Sequence, residues 1–127
     1  MTAPTRRLHA RYLCRLPFVV LSPRSAKPVD GEILNIGMGG AHLRVHGTLS
    51  ERQKSQLQVT VGGETFLMHV LVAWFPGPDP KDPTSNLYGV RFPTDDMNQL
   101  QVKVAVDRVR SQGGPAAPRV MRNYWNL

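Results

Sequence analysis

The stretch Asn35-Ile36-Gly37-Met38-Gly39-Gly40-Ala41-His42-Leu43-Arg44-Val45-His46 carries the reading of the fold. Three glycines within four positions suit a tight reversal with unusual backbone angles. Beyond the reversal the alternation is clean. Ala41, Leu43 and Val45 point to one side, and His42, Arg44 and His46 to the other, the pattern of a half-buried strand. Val29 to Ile36 reads as the strand entering the turn, so the chain doubles back as a hairpin.

Working outward, Leu16 to Leu21 is a short β-branched, apolar strand closed by Ser22 and Pro23. After a polar stretch around Ser50 to Ser55, Leu57, Val59 and Val61 alternate with Gln56, Gln58 and Thr60. Gly62-Gly63 then turns the chain into a strand from Thr65 to Phe75. Pro76 to Asn86 holds four prolines and two aspartates and reads as a surface loop, with a last strand from Tyr88 to Phe92 ended by Pro93. Then the period changes. Thr94 or Asp95 caps a helix ending near Gln112-Gly113-Gly114, with Met97, Leu100 and Val104 as its apolar face and Val102, Val106 and Val109 as further candidates. The expected fold is mainly all-β: a six-stranded antiparallel barrel with a C-terminal α-helix. Residues 1–15 form a basic arm, 16–111 the barrel and helix, and 112–127 a flexible tail.

The chain has 127 residues, enough for one domain that buries roughly two-thirds of its unfolded surface. A single Cys excludes a disulfide framework. The net charge is +7, and Arg outnumbers Lys twelve to four, a bias suited to forked recognition of phosphate or carboxylate. Arg6, Arg7, Arg11 and Arg15 all precede the first acidic residue, Asp30, so the N-terminal segment is wholly cationic. The expected partner is therefore an anion. Arg6-Arg7 does not open an export signal, because His9, Arg11 and Arg15 interrupt the required apolar run. The longest apolar stretch, Phe66 to Phe75, is too short to span a membrane. The expected location is the cytoplasm, with no membrane insertion.

Catalytic and metal readings find little support. On a strand, His42 and His46 lie about 13 Å apart, too far to share an ion, and read as solvated residues. No serine sits at a nucleophile elbow and no acidic pair stands out. Cys14 lies among arginines that would lower its pKa, but in a segment with no sign of a pocket. Gly37, Gly39 and Gly40 imitate a dinucleotide fingerprint, yet a strand follows them where that motif needs a helix. The expected protein is not an enzyme and holds no metal.

A cationic arm leading to a glycine-rich hairpin resembles the PilZ family, which is recognised by an RxxxR motif, often RRxxxR, and a (D/N)xSxxG motif. Arg6-Arg7-Leu8-His9-Ala10-Arg11 matches the first, and Asn35-Ile36-Gly37-Met38-Gly39-Gly40 the second. Leu16-Pro17-Phe18 and Tyr88-Gly89-Val90-Arg91-Phe92 are also similar to the family. The resemblance implies a barrel that binds the bacterial second messenger cyclic di-GMP on its outer surface, with the arm folding over the ligand. Arg7 and Arg11 would pair with the phosphates and cover the guanines, and Arg6 would add a third cation. Asn35 would offer its amide to a guanine edge and Gly40 would admit the backbone close to the ligand. Trp74, near the end of its apolar strand, reads either as a core residue or as a neighbour of a guanine. Gly37 stands where the motif has serine, which removes a hydroxyl worth about 0.5 to 1.5 kcal/mol. At a negative φ, a serine restored there would tighten binding. The function implied is a cyclic di-GMP receptor or adaptor acting on a protein partner, with no other cofactor. The alternative is a degenerate PilZ-like protein-interaction adaptor that binds no nucleotide. Nucleic acid as the ligand would call for stacking aromatics on the strand faces, and only nine aromatic residues exist, most of them in apolar strands.

Overall fold

A computed structural model describes residues 10–21, 29–51 and 53–112. Arg6, Arg7 and the tail from 113 onward lie outside the described residues. Strands β1 (Arg11–Leu21), β2 (Val29–Gly37), β3 (Gly40–Val45), β4 (Ser55–Val61), β5 (Glu64–Asp79) and β6 (Asp82–Arg91) are followed by helix α1 (Asp96–Ser111). The strands close into an antiparallel barrel in the order β1-β2-β3-β6-β5-β4. No helix among the described residues is long and apolar enough to cross a membrane.

The alternating positions fill the barrel. Ala41, Leu43 and Val45 of β3 and Leu57, Val59 and Val61 of β4 are buried in one core with Ile33 and Ile36 of β2, Met68 and Val70 of β5 and Val90 of β6. Each fully buried Val, Leu or Ile is worth about 1.5–3 kcal/mol, so this core supplies the driving force for closure. Gly62 and Gly63 both adopt positive φ, 56° and 85°, as a two-residue hairpin between twisted strands demands.

Register shifts shape the wall beside the first hairpin. Ile33 faces Leu43 and Asn35 faces His42, so β2 holds one residue more than β3 over this step. Ile33 and Ile36 are both in the core although three apart, which puts Asn35 on the outward side with His42. A second shift lies in β1 between Leu13 and Leu16.

Four elements differ from the sequence-based expectation. β1 begins at Arg11, not Leu16, because Tyr12 and Cys14 continue the inward alternation of Leu16 and Phe18 and pack against the core. Most of the expected loop from Pro76 to Asn86 is strand: β5 runs to Asp79 and β6 restarts at Asp82. Proline removes a ladder donor, and β5 absorbs this through register shifts between Trp74 and Gly77 and at Pro78/Asp79. Asp79 and Asp82 accept the backbone N–H groups of Lys81 and Thr84, which closes the turn.

Helix α1 departs in its buried face. Asp95 caps it by accepting the Asn98 N–H at 3.0 Å. Val102, Ala105, Val106 and Val109 are buried, whereas Met97 is 70% and Leu100 54% exposed. Asn98 heads the buried stripe: its Oδ1 accepts the His69 N–H at 2.7 Å, and its Nδ2 donates to the His69 and Pro93 carbonyls. A polar residue thus sets the rotation of the helix on β5, a role invisible to a count of apolar residues. Asn98→Ala is expected to cost about 2 kcal/mol, read as a melting midpoint lower by several degrees. Met97→Gln should change stability by less than about 0.5 kcal/mol.

Candidate ligand site

The outward sides of five strands carry one continuous row. Leu13 of β1 pairs with Asn35 of β2, Asn35 with His42 of β3, His42 with Gly89 of β6, and Gly89 with Trp74 of β5. Their inward neighbours, Ile36, Ala41 and Val90, belong to the core. At about 4.8 Å between strands, Trp74 stands roughly 10 Å from His42 with only a glycine between them. Trp74 is half-buried.

Arg11 crosses the end of this row. It pairs with Gly37, and its Nη1 lies 3.4 Å from His42 Nε2. A Cβ built on Gly37 would stand 3.0 Å from Arg11 Cγ, and one on Gly40 would stand 3.1 Å from Arg11 Nη2. Two glycines therefore floor the path of the guanidinium from β1 across β2 to β3. Gly37 also meets the Ala10 carbonyl, and Gly40 the Val90 carbonyl, at Cβ distances of 2.4 and 2.2 Å, which no side chain tolerates unmoved. Gly37 is not among the glycines at positive φ, so only close backbone approach excludes a serine. The expectation that a serine at negative φ would simply restore a ligand contact is corrected: the start of β1 occupies the place of its Cβ. At Gly40 the close approach is to the Val90 carbonyl of β6.

His42 is not the solvated residue expected of its position. Both His42 and Asn35 are fully buried, with Asn35 Nδ2 2.7 Å from His42 Nδ1. The other polar atom of the Asn35 amide, Oδ1, is buried without a hydrogen-bond partner. His46 is engaged separately by Asp30 at 2.8 Å.

Charge separates this end of the barrel from the wall behind it. Arg44 donates to Asp79 at 2.7 Å and to Glu32 at 3.2 Å, and Arg15 to Glu32 at 3.1 Å. The Asp79 hydrogen bond, and then the nearby carboxylates, push the Arg44 pKa further up. Those cations are neutralised in place. Arg91, paired with Gly40 and exposed, makes no ion pair among the described residues. Burial pushes the Cys14 thiol up to about 12, opposite to the lowering expected from neighbouring arginines. Desolvation outweighs charge here because the Cys14 side chain leans on the core, its Sγ 3.6 Å from the Ile33 carbonyl.

Of the residues singled out in the sequence, Arg11, Asn35, Gly37, Gly40 and Trp74 come together on this outward face. Arg6 and Arg7 lie outside the described residues. His42 and Arg91 were missed. His42 sits one residue after the inward-facing Ala41, and no feature of its own position announces that Asn35 and Arg11 would converge on it.

No protein-family model matches the chain, and no curated protein matches it either. Solved structures do. The PilZ domain with c-di-GMP of YcgR from Escherichia coli aligns with a TM-score of 0.63 at 15% identity, covering 84% of this chain and 94% of that one. YcgR in complex with c-di-GMP, also from Escherichia coli, aligns with a TM-score of 0.62 at 14% identity over 84% of this chain and 47% of that one. The Bacillus subtilis inhibitor of motility MotI/DgrA aligns with a TM-score of 0.59 at 14% identity over 85% and 53%. The fold is that of PilZ domains.

The glycine floor and the thiol each give a test. Gly40→Ala and Gly37→Ser should each destabilise by about 1–3 kcal/mol through overpacking, seen as lower melting midpoints. A melt unchanged in both would mean that the strands do not approach so closely. The Cys14 thiol, protonated at pH 8, should react with iodoacetamide far more slowly in the native chain than in urea.

Proposed function

We propose that this chain is a non-enzymatic cytoplasmic receptor for cyclic di-GMP, bound on the outward face of the barrel at the start of β1. The observation that carries the reading is the passage of Arg11 over Gly37 and Gly40 toward Asn35 and His42. A fork of N–H donors over side-chain-free backbone suits a planar anionic ligand, since phosphate can pair with the guanidinium while a base lies flat beside it. Arg6 and Arg7, close in sequence to Arg11, supply further cations in this reading, and Arg91 adds positive charge at the rim. Trp74 closes the far end of the row as a face for stacking. In this proposal Gly37 acts through the close fit of β1 over β2, and Gly40 through the room it leaves for the guanidinium. The PilZ fold supports the reading through its neighbours, two of which were solved with c-di-GMP.

A second reading has its own observation. Gly37 lacks the motif's hydroxyl, and the Ala10 carbonyl fills the place where it would attach, as in a domain that keeps the fold as a protein-binding adaptor. Isothermal titration of the chain with cyclic di-GMP separates the two. Heat with a defined stoichiometry supports the receptor, and none at high protein concentration supports the adaptor.

Mutation locates the site. Each arginine would contribute charge-assisted contacts of about 1.5–3 kcal/mol, so Arg7→Ala and Arg11→Ala should each weaken binding roughly ten-fold or more. Arg119→Ala should leave it unaltered. Equal losses at all three positions would mean diffuse electrostatic attraction and would remove the assigned site.

A further inference from the structure

His42 is held between two groups whose hydrogen-bonding roles are not equally free. A guanidinium carries five donors and no acceptor, so Arg11 can only give a proton toward His42 Nε2, 3.4 Å away. An amide can be turned over to present either atom, and its orientation follows from the network. With the Asn35 nitrogen toward His42 Nδ1, at 2.7 Å, Nδ1 accepts and a neutral ring must carry its proton on Nε2, against the guanidinium. Turning the amide over removes the conflict. Arg11 donates to Nε2, Nδ1–H donates to the Asn35 oxygen, and the Asn35 N–H2 becomes the amide group left over from this chain of bonds. A doubly protonated ring would instead set a fully buried cation against the half-buried Arg11 guanidinium.

We infer that His42, as the neutral Nδ1–H tautomer, is a positioning residue: it holds the Arg11 guanidinium over Gly37 and Gly40 and turns the Asn35 amide so that its N–H2 is the free end. The glycines leave the arginine a path, and His42, buried on the next strand, gives the guanidinium an acceptor at the end of it. Arg11, a donor only, fixes which ring nitrogen accepts, and the Asn35 oxygen, buried beside the ring, accepts from the other. The role in ligand capture rests on the cyclic di-GMP reading, whereas the tautomer belongs to the free chain.

Long-range 1H–15N correlation spectra of the free chain at pH 7.5 give the first test. The His42 ring should show Nδ1 protonated and Nε2 bare, while the partner-free tautomer preference of imidazole is the reverse. A protonated Nε2, on a neutral or a charged ring, would overturn the inference whether or not any nucleotide binds. The second test compares His42→Gln with His42→Leu by titration with cyclic di-GMP, alongside thermal melts. Glutamine can reach Arg11 with its side-chain oxygen, so His42→Gln should bind at least five-fold more tightly than His42→Leu. Equal affinities in two folded variants would overturn the positioning role. If His42→Leu does not fold, the tautomer measurement decides alone. If the unaltered chain binds no cyclic di-GMP, the ligand reading fails and the spectra still decide the hydrogen-bond chain.

Discussion

One residue too many in β2 governs the site. Between Ile33 and Asn35 the strand holds a residue that β3 does not match, and this shift turns Asn35 out of the core while Ile36 returns to it. Without it, an amide would face Leu43 and the valines of the barrel interior, where burying it without partners costs several kcal/mol at most scales of transfer, ~2–7. With it, Asn35 and His42 form a polar pair on the other side of the same wall. The apolar lining and the candidate site are thus two consequences of a single register change.

The same economy of space applies to Arg11. A long cationic side chain lies against the barrel where two glycines leave its path open, and at those same glycines the Ala10 carbonyl and the Val90 carbonyl of β6 come close. Side-chain volume and strand spacing are therefore coupled: widening either contact with a Cβ moves the strand and the arginine together. The neighbouring wall shows the contrast. Arg44 and Arg15 are tied to Asp79 and Glu32, and this ladder brackets the hairpin between β5 and β6 without offering a free charge. Near the glycine turn, Arg91 makes no ion pair among the described residues, and Arg11 reaches His42.

Much of this was legible in advance where period and turn chemistry are local. The alternation through Ala41, Leu43 and Val45, the Gly62-Gly63 turn and the Asp95 cap depend on neighbours in the chain, and each appears where the residues indicate. The reading failed where partners from elsewhere decide. Proline and aspartate between Pro76 and Asn86 suggest a loop by composition, yet pairing of β5 with β6 carries both strands through most of it. Met97 and Leu100 look like a helix face, yet the hydrogen bonds of Asn98 to β5 rotate them into solvent. The Cys14 thiol follows the same rule, since its depth in the wall and not its charged neighbours sets its acidity.

By itself the sequence determined a six-strand-plus-helix order, a cationic N-terminal segment and two motifs placed so that a glycine turn could meet an arginine. Those properties are carried by residue type and spacing, and no folding is needed to count them. Only the tertiary structure decided that Asn35 would face outward and that His42 would be buried between Asn35 and Arg11. It also decided that a serine at position 37 would meet the Ala10 carbonyl. These depend on register across strands far apart in the chain, and a shift of one residue in a ladder reverses which face every side chain takes.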